Sequence, residues 1–102
     1  MRPVLHGDVS CAARVLRAVP PGRRAALCRR MIREAEAADR YRLRHARVHP
    51  RWGNGSLMAA ARHRGMADEP GFDDVDYCRC FIMVLEALAM RPLSLRRSRH
   101  SG

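Results

Sequence analysis

Apolar residues recur along this chain at helical spacing, and nowhere with the two-residue alternation of a half-buried strand. After Asp8, which has the chemistry of an N-cap, Val9, Ala12, Ala13, Leu16 and Val19 mark one side of a first helix, with Ser10, Arg14 and Arg17 opposite. Pro20-Pro21-Gly22 interrupts the pattern. A long second helix then runs from about Arg23 to Arg47, its buried arc formed by Leu27, Cys28, Met31, Ile32, Ala35 and Ala38. The stretch His49 to Gly55 holds one proline and two glycines and reads as the main irregular segment. Ser56 is placed to cap a short third helix over Leu57 to Arg64, ended by Gly65. A loop over Met66 to Phe72 leads to a fourth helix, capped by Asp73 or Asp74 and stopping near Met90 before Pro92. Apolar residues cover the fourth helix on nearly every side except the strip carrying Arg79 and Glu86, so it is expected to be central.

The pattern therefore predicts an all-α fold, a compact bundle of about four helices over residues 1–91. Residues 92–102 hold three arginines and no acid and read as a disordered basic C-terminal tail. A length of 102 residues supports one domain. Apolar residues make up 47% of the chain but aromatics only 5%, so the core must be built from small aliphatic side chains. Such a core buries less area per residue, which leaves the domain marginally stable alone or inclined to self-associate.

Charge alters this picture more than composition does. All 20 basic side chains are arginine, against 10 acids, for a net charge of +10. Arginine forks two hydrogen bonds to carboxylate or phosphate, so the surface suits acidic protein patches or polyanions. On the second helix Arg29, Arg30, Arg33, Arg40, Arg44 and Arg47 project within about 100° of one another, roughly opposite the apolar arc. Like charges four apart on a helix cost about 0.2–0.5 kcal/mol each, and only Glu36 and Arg40 form a favourable pair here. Residues 23–51 hold ten arginines and three acids, whereas residues 65–90 hold one arginine and six acids. Two arrangements stay open. Either the acidic run Asp68, Glu69, Asp73, Asp74 and Asp76 folds over the stripe and neutralises it, or the stripe stays open to a partner.

Catalytic and metal chemistry find little support. Cys78 and Cys80 point about 200° apart on a helix and cannot hold one ion together. His45 and His49 have a zinc-compatible spacing, but His49 precedes Pro50, where the helix should stop, and no acid accompanies them. Gly53-Asn54-Gly55-Ser56 lacks the lysine and spacing of a phosphate-binding loop, and Ser56 serves as a cap more readily than as a nucleophile. No cofactor, metal site or enzymatic activity is expected. The first twenty residues carry Asp8, Arg14 and Arg17 inside their apolar part, which argues against a secretory signal and for a cytoplasmic protein with reduced cysteines. The longest apolar run, Phe81 to Met90, is half the length of a membrane span.

The strings MRPVLHGDV, EAEAADRYR, HPRWGNGSLMAAA and DYCRCFIMVLEAL resemble those of a family of small uncharacterised alphaproteobacterial helical proteins, a domain of unknown function. The resemblance covers about residues 1 to 90. It implies a compact helical domain in a bacterial cytosol and brings no activity and no site residues with it. From the residues themselves, the expected function is a protein-interaction or regulatory module. It would dock through Arg29, Arg33, Arg40, Arg44, Arg47, Arg51 and Trp52 on an acidic protein partner or on a second copy of itself. The alternative is a nucleic-acid-binding protein that grips phosphates through the same stripe, although no helix-turn-helix is evident.

Overall fold

The computed structural model describes residues 1–91; the basic tail expected over residues 92–102 lies outside the described residues. Four α-helices occur among them in the order α1 (His6–Arg17), α2 (Pro21–His45), α3 (Leu57–Arg62) and α4 (Val75–Ala89), with no strand. The all-α expectation holds.

Each helix boundary has a local cause. Asp8 is not the cap of α1: the helix starts two residues before it, and Asp8 occupies the third helical position. One of its carboxylate oxygens accepts from the Leu5 amide at 2.9 Å and the other from the Met58 amide at 2.9 Å, so a single side chain ties together the starts of α1 and α3. Pro21 does not break α2 but opens it, since a proline in the first turn has no amide to leave unpaired. At the other end Ala46 is left-handed (φ 54°), which stops α2 at His45 and puts Arg47 beyond the helix. Ser56 caps α3 through the Ala59 amide at 3.1 Å, and α3 closes two residues earlier than expected. Of the two candidate caps of α4, Asp74 is the one used, accepting from the Tyr77 amide at 2.9 Å.

The packing corrects one expectation. The central helix is α1, not α4. It touches all three other helices and buries eight consecutive positions apart from Arg14, from Asp8 to Leu16. Small side chains allow this: Ala12 and Ala13 let neighbouring backbones approach closely on more than one side. Ser10, expected on the polar face, is buried, hydrogen-bonding with the Tyr77 hydroxyl at 3.0 Å and donating to Glu69 Oε1 at 3.1 Å. By contrast α4 buries one side only, through Tyr77, Cys80, Val84 and Leu88, and leaves Val75, Ile82 and Leu85 about half exposed or more. The arc expected on α2 is in place: Cys28, Met31, Ile32, Ala35 and Ala38 are buried, with Leu27 packed at the margin.

Candidate interaction surface

The second and fourth helices diverge enough to leave an open groove of about 770 Å³ between them. Its walls carry Ala25, Cys28, Ile32, Met83, Ala87 and Met90, and Arg29, Arg33, Arg40 and Arg91 stand around it together with Glu36 and Glu86. The surface is apolar below and cationic at the rim. Burial pushes the Cys28 thiol up to about 11, so it stays protonated at neutral pH and behaves as an apolar wall rather than a nucleophile. Glu36 is the one buried acid in the lining; it receives the Met1 α-ammonium at 3.0 Å and lies 3.5 Å from Arg91. Its charge is thereby committed to the fold and subtracts less from the rim.

The two open arrangements of the stripe are resolved by where the acids go. Asp74 pairs with Arg17 at 2.9 Å, and Asp76 takes both Nη atoms of Arg24 at 2.7 and 3.1 Å. Glu34 pairs with Arg64, and Asp39 with Arg42 and the Met1 ammonium. The acidic segment therefore fastens α4 to the α1–α2 corner instead of covering the stripe. The backbone amide of Tyr77, with Arg17, holds the Asp74 carboxyl below the ordinary range, and the Arg24 hydrogen bonds do the same for Asp76. None of the ion pairs among the described residues uses Arg29, Arg30, Arg33, Arg40, Arg44 or Arg47, and all six are exposed.

The candidate residues do not form one patch. Arg29, Arg33 and Arg40 line the groove; Arg44 follows on the same helix; Arg47 and Arg51 lie in the following loop. Trp52 sits apart from the groove. Its ring stacks on His49 at 4.6 Å and 6°, and His49 in turn meets Tyr41 at 4.9 Å, while Tyr41 meets His45 at 4.4 Å. His49 Nδ1 accepts from the Arg51 and Trp52 amides, each at 3.0 Å, so that nitrogen is occupied in shaping the turn. Trp52 thus closes the loop onto the end of α2. The groove residues Met83, Ala87 and Met90 were not singled out by sequence reasoning, because they have the same spacing as core positions, and Arg91, which the sequence places with the free basic tail, is paired with Glu36 instead. Only the docking of α4 on α2 makes them a surface.

The described residues thus form a small helical domain with a cationic, apolar-floored groove between α2 and α4. The chain belongs to the family described as Domain of unknown function (DUF7742), whose model matches residues 2–88. Comparison with curated proteins and with solved structures returned no match. No helix among the described residues is long and apolar enough to cross a membrane.

Proposed function

We propose that this chain is a small, non-enzymatic interaction module whose α2–α4 groove takes up an acidic, amphipathic helix of a protein partner, in the bacterial cytosol that the sequence resemblance implies. The observation that carries the reading is the rim of Arg29, Arg33 and Arg40, none of them in an ion pair among the described residues, set around an apolar floor. An amphipathic helix with carboxylates flanking its apolar stripe matches both parts at once. Burial of the apolar stripe supplies affinity, and forked guanidinium–carboxylate bonds set orientation. A nucleic acid backbone would satisfy the arginines but leave Met83, Ala87 and Met90 against water.

The test is fluorescence anisotropy with a labelled peptide of about 18 residues bearing leucines at helical spacing and glutamates elsewhere, beside its lysine counterpart and a labelled DNA duplex and single strand. The acidic peptide is expected to bind at about 1–10 μM in about 0.1 M salt, the lysine peptide not at all. Arg29→Glu with Arg33→Glu, and separately Ala25→Glu with Met90→Glu, should each weaken binding about tenfold or more. DNA binding that is tighter than peptide binding, falls steeply with salt and ignores Ala25→Glu with Met90→Glu would overturn the reading in favour of phosphate recognition.

A further inference from the structure

The outward side of α4 follows a rule of its own. Val75, Cys78, Ile82, Leu85 and Ala89 are spaced three, four, three and four residues apart, the a and d positions of a heptad repeat. Val75 is 62% exposed, Ile82 51% and Leu85 47%; Ala89 is exposed and Cys78 half-buried. Single exposed apolar residues are ordinary, but a continuous seam along a whole helix is the signature of a helix awaiting another helix. Two charges flank the seam on one side, Arg79 and Glu86, both exposed and neither engaged in an ion pair among the described residues.

We infer that the occupant of this seam is α4 of a second copy of the chain, packed antiparallel about a two-fold axis. The argument is charge complementarity within one register. In an antiparallel pair each a residue meets a d residue of the other helix, so Ile82 faces Leu85 of the second copy and Cys78 faces Ala89. In that same register the e positions meet one another, which sets Arg79 opposite Glu86 of the second copy and, by symmetry, Glu86 opposite its Arg79. Parallel pairing would instead set e positions against g positions, and those are Phe81 and Leu88, leaving both charges without a partner. The seam is self-complementary in one orientation only. Its apolar residues Val75, Cys78, Ile82, Leu85 and Ala89 are absent from the groove lining, but Glu86 stands at both edges, so an occupant of the groove that contacts Glu86 competes with the dimer for that charge.

Two heptads bury less than the about 1,600 Å² of a standard interface, so a weak dimer with a dissociation constant of about 10–100 μM is expected. Sedimentation equilibrium across about 5–500 μM in about 0.15 M salt measures it. Arg79→Glu and Glu86→Arg should each raise the dissociation constant at least about tenfold, because each creates two like-charge contacts across the axis. The double variant, with both charges exchanged, should return to within about threefold of the unmodified chain. Leu85→Glu should give a monomer with unchanged far-ultraviolet dichroism, since Leu85 is exposed in the folded chain. A monomer persisting at about 500 μM, single reversals without effect, or a double variant that fails to recover would each overturn the antiparallel dimer.

Discussion

Arg24 of α2 grips Asp76 of α4 with both ends of its guanidinium, Nη1 to Oδ1 at 2.7 Å and Nη2 to Oδ2 at 3.1 Å, while its Nε donates to the Val19 carbonyl at 3.1 Å. Arg24 is the only arginine of α2 that is buried. This one side chain joins the turn before α2 to the beginning of α4.

The sign of its pH dependence follows from the direction of the shift. Asp76 has a lowered carboxyl pKa in the folded chain, first because of the Arg24 hydrogen bond, so its stabilisation is fully present above the ordinary carboxylate value of about 3.9. It is lost as pH falls through the lower folded value. Arg24→Met should move the Asp76 carboxyl back toward the ordinary range. The variant should be less stable than the unmodified chain at pH 7, with a gap that narrows as the pH is taken down to about 2.5. Urea unfolding at a series of pH values, with carboxyl titration followed by NMR, measures both.

Asp8 is the second polar anchor and is 5% exposed. Replacing it with alanine leaves the Leu5 and Met58 amides without their acceptor and unties α3 from α1. The loss expected is about 1.5–3 kcal/mol, read from the denaturation midpoint at unchanged slope. Asp8→Asn keeps one acceptor oxygen and should fall between the two.

Two backbone positions should respond in opposite directions. Ala46 pays a left-handed conformation (φ 54°) at the end of α2, so Ala46→Gly should stabilise by about 0.5–1 kcal/mol. Gly55 is left-handed too (φ 94°), and a Cβ there would lie 2.7 Å from Cα and Cβ of Asp39, so Gly55→Ala should cost at least about 2 kcal/mol. Thermal melts of the two variants against the unmodified chain give the comparison.

What could be read from the sequence was whatever depends on neighbours along the chain. The arc from Cys28 to Ala38, the caps Ser56 and Asp74, and the stop of α4 near Met90 are all local matters of spacing and capping, and they stand. The centrality of α1 was hidden because Ala12, Ala13 and Ser10 carry no strong hydrophobic signal; their value lies in being small where three helices converge. Arg24 was indistinguishable in sequence from the six exposed arginines around it on α2. The groove was hidden for a related reason, since Ile32 and Met83 belong to different helices and become one surface only through tertiary packing.

The chain has no lysine, and its Met1 ammonium is held between Glu36 and Asp39 with its side chain buried. Every cation of the open stripe is therefore a guanidinium, which keeps its proton throughout the physiological pH range and offers no amine to an acetyl-transferring enzyme. A surface of this kind cannot be switched off by acidity or by acylation of its own side chains. Under the proposed reading, control that leaves these guanidinium groups unmodified acts through the charge carried by the occupant or through the ionic strength in which the two meet.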